Sequence, residues 1–580
     1  MRVSPMPGPV RMRLAWLLLA AVLLGCATPA APTPASRGAS GTAPEASRAS
    51  GPKRIVIGIR GNPATPMMKV TLAGGTGQAP GAEELEELVN TRLGMVDPTG
   101  NVRPYLAASV PTVEDGSWNV LPDGTMETRW KIRPNARWHD GHAFTADDVV
   151  FSYTVWTDQE VGIFRDARYL NVESVDAPDP LTLEVRWKRP YIFADRMFDV
   201  GLMPKHLLEP TYRDAKGTLT QIPYWTQDYV GTGPYKIREW AAGSHSVLEA
   251  FDDFVLGRPK IDEITFRYIL DSTTLLANVL SGEVDVTMGG GLSHDQGVEV
   301  KEQWTAGTVH ADASSWMAAF PKLLDPNPDV IRDVRFRRAL LHAIDRQTLA
   351  DTLLPGMSSV AHSFVGPDQP WYNDVQPQVV KYDYDVRQSR QLIEGLGYTM
   401  GGDGFFRDAA GQRLTIEART NDGFDFHFKV LYPTADYWQR AGVGVDVNVL
   451  NRAQAQDPRT RATFPGFEVI RNPTHVERLL IFHSSQMRTP QNNWVGANYM
   501  NLNDPAWDGL LDRFFSTVPM RARTQALGEI VHMMTDQLLV LGIIHEADPY
   551  LIANKIVNMG PPHGNVRSPE AWNGHEWDLR

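Results

Sequence analysis

The chain has 580 residues, more than one hydrophobic core usually supports, so two or three lobes with separate cores are expected. A formal charge of -12, with Lys and Arg scattered along the chain, leaves no basic patch for nucleic acid. The sole cysteine, Cys26, excludes disulfides, thiol catalysis and thiolate metal sites from the rest of the chain.

At the N-terminus, Arg2, Arg11 and Arg13 precede the apolar run of residues 14–25, which ends at Cys26. A run this short falls below the ~20 residues a bilayer requires and reads as a signal peptide, residues 1–25. The segment Leu23-Leu24-Gly25-Cys26 resembles a bacterial lipobox, which implies acylation of Cys26 and attachment to the membrane by lipid. Residues 26–53 are dominated by Ala, Thr, Pro, Ser and Gly, a composition that cannot bury enough apolar surface to fold, and are expected to form a disordered tether.

Beyond it, the β-branched run Arg54 to Arg60 predicts a strand that stops at Gly61, Asn62 and Pro63. Residues 130–153 place His139 and His142 around the turn dipeptide Asp140-Gly141 and follow them with Thr145-Ala146-Asp147-Asp148. The latter is a capping box opening a helix, so both acids have a structural task. Two histidines on one bend fall short of a zinc set, and no metal is expected here.

Strands are predicted over 181–187, 232–240 and 263–269. Gly231-Thr232-Gly233-Pro234-Tyr235 lacks the Lys-Ser/Thr ending of a phosphate loop and reads as a hinge or the start of a strand. One helix is predicted from Val334 to Leu354, capped by Asp333, burying Phe336, Leu340, Ala343 and Ile344, stopping at Pro355-Gly356, and carrying Arg335, Arg337 and Arg338 on a solvated face. His483-Ser484-Ser485 lacks the third group and oxyanion donors of a nucleophilic site. A last helix, about 521–536, leads into the apolar run 538–544, which fits a buried strand. Helices alternating with strands indicate α/β lobes.

The stretch Trp130 to Tyr153 resembles the signature of the solute-binding proteins of ABC importers, the peptide/nickel-binding family 5. Further matches follow in that family's order: Leu202-Met-Pro-Lys-His206, Gly231 to Tyr235, Gly257-Arg-Pro-Lys-Ile-Asp262, Ser281-Gly-Glu-Val-Asp285, Asp333 to Arg346, Leu392 to Tyr398, Phe482 to Ser485 and Trp572 to Trp577. The resemblance implies a bilobal periplasmic-binding-protein-like fold of type II topology, with an extra inserted domain and a hinged ligand cleft. The implied division is lobe I in 54–105 and 222–310, the inserted domain in 106–221, lobe II in 311–546, and a return to lobe I in 547–580.

The function implied is that of an extracytoplasmic receptor, a monomer without cofactor, metal or catalytic residues, that captures a solute and hands it to an ABC permease. Peptides are the first expectation; a sugar-like or other polar solute, a sensory role, or a surface hydrolase built on the same scaffold are the alternatives. Peptide-binding members of the family hold the ligand's α-ammonium with an Asp, and the matching stretch here, Gly466 to Glu477, contains none: ungapped, Val469 takes that place. Glu468, Arg471 and His475 in this stretch, Phe164 and Tyr169 after the signature helix, and Trp494 and Asn498 further on are the candidate ligand contacts. His475 alone falls short of a nickel site.

Overall fold

The computed structural model describes residues 51–67, 70, 79–163, 167–198, 201–367, 369–494, 496–560 and 570–580. The signal peptide, residues 26–50 of the expected tether with Cys26, and Phe164 therefore lie outside the described residues, while Lys53 already hydrogen-bonds to Asp262 and Asp578. Gly51 to Arg580 cluster into one unit.

Ten strands of a central sheet, labelled in chain order, carry the fold: β1 (Arg54–Ile59), β2 (Tyr235–Ala241), β3 (His245–Ala250), β4 (Glu263–Tyr268), β5 (Val286–Met288), β6 (Gly307–Pro321), β7 (Thr415–Asn421), β8 (Gly444–Leu450), β9 (Phe467–Pro473) and β10 (Leu541–Ala553). Their spatial order is β8-β7-β9-β6-β10-β5-β1-β4-β3-β2. One half is built on parallel β5, β1 and β4, the other on parallel β8, β7 and β9.

Antiparallel β6 and β10 join the halves. β9 pairs with β6 only from Ser315 to Pro321, whereas β10 meets β5 at its far end, Ile552 opposite Val286. Each long strand thus begins in one half and finishes in the other. The register breaks between Ala313 and Ser315, near the middle of the pair. A second break falls between Met317 and Ala318, and a bulge bends and twists the strand that carries it.

Of the helices, six matter below: α1 (Ala82–Val89), α2 (Ala146–Thr157), α3 (His294–Gln303), α4 (Val334–His342), α5 (Arg346–Leu353) and α6 (Asp425–Ala441). A separate antiparallel sheet of five strands lies between residues 107 and 187, and α2 packs on it. Its core holds Trp130, Trp138, Trp156 and Trp187, all under 2% exposed. At ~25 cal/mol per Å², burying an indole of this kind stabilises by on the order of 4 kcal/mol, and these side chains run on into the core beneath the central sheet.

The capping box forms at α2: the Asp148 carboxylate accepts the Thr145 amide at 2.9 Å and the Lys205 amide at 3.0 Å. Gly141 takes the positive φ of 86° that the turn requires. His139 bridges to the Gly231–Gly233 segment, accepting from the Gly231 amide at Nδ1 (3.1 Å) and facing the Gly233 carbonyl with Nε2 (3.0 Å). Burial pushes this ring down to about 4, so it stays neutral, with both nitrogens occupied. His142 stacks on His206, whose Nε2 is 2.7 Å from Asp140.

Two expectations need correction. The helix expected over 334–354 is two helices, α4 and α5, because Asp345 turns its carboxylate onto the Thr348 amide (3.0 Å) and starts a new one. Nor does the whole basic cluster face solvent: Arg335 is exposed as expected, but Arg337 is 4% exposed and donates to the carbonyls of Ile331, Arg332, Gln537 and Leu538. Those carbonyls sit at chain turns with no ladder to satisfy them, and one guanidinium with five donors serves all four. The apolar run at 538–544 does feed a buried strand, but β10 continues through His545, Glu546 and Asp548 to Ala553.

Candidate functional site

In open α/β sheets ligands lie beyond the carboxyl ends of parallel strands. β1, β4 and β5 end at Ile59, Tyr268 and Met288 in one half of the sheet, and β7 ends at Asn421 in the other. Between these ends opens a cleft of about 540 Å³. Arg60, Ser272, Gly290 and His294 line it from one side, Phe424, Phe426 and Lys429 from the other, with Asp548 of β10 at the floor. Two contacts span it: Lys429 Nζ lies 2.6 and 2.7 Å from the Asp295 carboxylate oxygens, and the His294 ring lies 4.3 Å from that of Phe426.

The floor is charged. Glu546 is fully buried, with Arg471 Nε 3.0 Å from its Oε2, while Arg471 Nη2 pairs with Asp548 Oδ2. Burial opposes charge on Arg471, and the two carboxylates outweigh it, holding the guanidinium above its usual range. From the opposite side His294 Nε2 approaches Glu546 Oε1 (3.2 Å) and Asp548 Oδ1 (3.9 Å). Behind β9, the Arg471 amide donates to His427 Nε2 at 3.1 Å, and burial pushes that ring down to about 4.

A second acidic group flanks the cleft. Glu570 Oε2 accepts the Gly289 amide at 3.0 Å, next to the end of β5. Gly289 has φ 61°, and a Cβ there would stand 2.1 Å from the Gly81 nitrogen, so only glycine lets the two loops touch. Burial raises Glu570 well above the carboxylate range, with Glu84 of α1 adding to it. Glu84 itself is pushed up to about 7, by burial first and by Glu83 next.

A carboxyl whose folded pKa exceeds its unfolded one loses stability as pH rises through the folded value. Glu84→Gln is therefore expected to stabilise the protein by roughly 2–3 kcal/mol at pH 8.5 and to change little at pH 5. Urea unfolding at the two pH values measures this; an equal effect at both would contradict it.

Of the residues expected from the sequence, the structure brings only Arg471 to this floor. Strand side chains alternate, and Glu468, an odd number of positions from Arg471, turns to the other face of β9. There it is fully buried, 3.3 Å from Arg461 and 3.5 Å from Arg419, and does not line the cleft. Val469, which the ungapped match sets at the family's anchor, is also fully buried. His475 Nδ1 lies 3.2 Å from Glu477, which in turn meets Arg196, 3.5 Å away.

Tyr169 is packed in the aromatic core of the added sheet, 5.3 Å from Trp156. Asn498, fully buried, staples its own loop by donating to the Phe482 and Leu502 carbonyls and accepting the Leu502 amide. Trp494 is half-buried in that loop with φ 64°, and Phe164 is outside the described residues.

The sequence reading missed His294, Phe424, Phe426, Glu546 and Asp548. For the two acids a signal was present: His545-Glu546-Ala547-Asp548 puts charge in the middle of an otherwise apolar strand. Burying charge there is costly unless it is paired or put to use.

Comparison with known proteins adds a second, independent line. Residues 101–469 match the profile of the bacterial extracellular solute-binding proteins, family 5. Over 442 residues the chain is 22% identical to the oligopeptide-binding protein AppA of Bacillus subtilis, covering 74% of this chain and 75% of that protein. An oligopeptide-binding protein of Thermus thermophilus, solved with a pentapeptide, shares 21% identity and a TM-score of 0.67 over 91% of this chain and 96% of its own. NikZ of Campylobacter jejuni, solved with Ni(L-His), shares 19% and a TM-score of 0.66 over 90% and 99%. At these identities the structural likeness establishes the fold.

Proposed function

Because the chain belongs to the bacterial extracellular solute-binding proteins of family 5, we propose that it is a lipid-anchored receptor that closes its two lobes on a peptide and delivers it to an ABC importer permease. One observation carries the reading: a cleft walled by both sheet halves, joined through β6 and β10, holds carboxylates, a guanidinium and an ammonium around apolar rings. Groups of both signs suit a zwitterionic ligand, and Phe424 and Phe426 offer flat surfaces to side chains.

The relatives from Bacillus subtilis and Thermus thermophilus, named for oligopeptide binding, support the same class. With Val469 buried where the resemblance sets the family's ammonium-binding Asp, the ammonium of a peptide is met here by the carboxylates that line the cleft. Acylated Cys26 holds the receptor at the membrane. No turnover of the bound solute belongs to this function.

Two measurements test it together. Native mass spectrometry of the purified protein is expected to release a mixture of peptides, and small-angle scattering to show compaction when they are added back. A single sugar in the cleft would overturn the peptide class and leave the receptor standing; chemical conversion of a bound solute would overturn the receptor itself.

A further inference from the structure

We propose that His294, Glu546 and Asp548 form a binding site for one divalent transition-metal ion on the cleft floor. Among the described residues they are the group whose potential ligand atoms converge, all within 4.8 Å of one another. Glu546 and Asp548 stand two apart on β10 and so share a face. His294 opens α3, whose start is fixed by Ser293 and Gln296 capping each other at 3.3 and 3.0 Å.

The oxygens are already sorted. Arg471 takes Oε2 of Glu546 and Oδ2 of Asp548, which turns Oε1 and Oδ1 toward His294 Nε2. Donors at the ~2.0–2.2 Å of zinc coordination stand roughly 3.3 Å apart around a tetrahedral ion, and the observed 3.2 and 3.9 Å need little adjustment.

The second observation is independent of the clustering. The His294 side chain is 9% exposed, and its Nε2, though 3.2 Å from Glu546, makes no hydrogen bond, nor does the facing Glu546 Oε1. Polar atoms buried this deeply are normally satisfied, and a metal would satisfy both. One imidazole nitrogen and two carboxylates select a transition ion such as zinc or cobalt over magnesium or calcium, which take oxygen alone. Arg471 then acts as the outer partner that orients both carboxylates. The fourth position opens on the cleft, where water or a donor from the solute completes the ion.

The test uses the full chain, stripped of metal by a chelator and titrated calorimetrically with Zn(II), with Co(II) absorption as a second readout. One ion per chain is expected. His294→Ala and Asp548→Asn are each expected to weaken binding at least 10–100-fold, the loss seen when even outer-shell partners go. His475→Ala removes a histidine that also sits beside a carboxylate and is expected to bind as the native protein does. Thermal melts without metal show whether each variant folds, and Asp548→Asn keeps the side-chain shape should His294→Ala fail. No uptake of either ion, or uptake unchanged in the folded variants, would overturn the site. Because no peptide is present in this assay, that failure would leave the receptor reading untouched.

Discussion

Lowering the pH from about 6.5 to 4 is expected to strip on the order of 5 kcal/mol from the folded state through two of its buried imidazoles, His427 and His545. They are 7% and 2% exposed, and burial pushes each down to about 4 from an ordinary value near 6.5. Each displacement corresponds to about 3.4 kcal/mol. A ring held neutral in the fold but free to take a proton when unfolded confers stability fully present above its unfolded pKa. That stability fades as pH falls toward the folded value.

For His427 burial is the main cause and the charges of Arg471 and Arg461 add to it; its Nε2 also accepts the Arg471 amide, where a proton would set two donors face to face. Against a typical total of about 5–15 kcal/mol, the loss is enough to unfold the protein near pH 4–5. Glu84 works the other way over part of the range and softens the slope. Tryptophan fluorescence during an acid titration records the midpoint, and His545→Leu should move it downward. Stability that stayed level from pH 7 to pH 5 would refute the account.

Replacing Arg471 by Met is expected to cost about 3–5 kcal/mol, the penalty for leaving a buried charge without its partner. The stranded group is Glu546, which is fully buried, and Asp548 loses the same guanidinium. Adding Glu546→Gln to that variant removes the orphaned charge and should recover a substantial part of the loss. A double-mutant cycle by chemical denaturation separates the pair from its parts. If the single variant unfolds at the native midpoint, the floor is not held together by this pair.

Much of the local structure was legible in the sequence because it rests on neighbours in the chain. The capping box at Thr145, the turn at Gly141 and the strand from Arg54 depend on a handful of adjacent residues, and each forms. Arg337 was misread for the opposite reason. Two of its four carbonyl partners, Gln537 and Leu538, lie some 200 positions away, and nothing at residue 337 announces them. The cleft is harder still, since its walls come from Arg60, Ser272, His294, Phe424 and Asp548. Arg471 was found because the resemblance pointed to its stretch, whereas Glu468 was misplaced by a single strand position. That error is the one an alternating strand punishes most.

The crossing of β6 and β10 also bears on when the molecule can fold. β5 waits for a partner that follows it by more than 250 positions, Ile552 for Val286, and β6 pairs with the same late strand along nearly its whole length. Contacts this remote in sequence form slowly, because a long loop must close before they repay its entropy. An emerging chain would therefore keep both sheet halves unfinished until the last strand arrived. For a polypeptide bound for the outside of a cell, late closure is an advantage of timing: it favours a thread that is still pliable while it crosses the membrane and sets only on the far side.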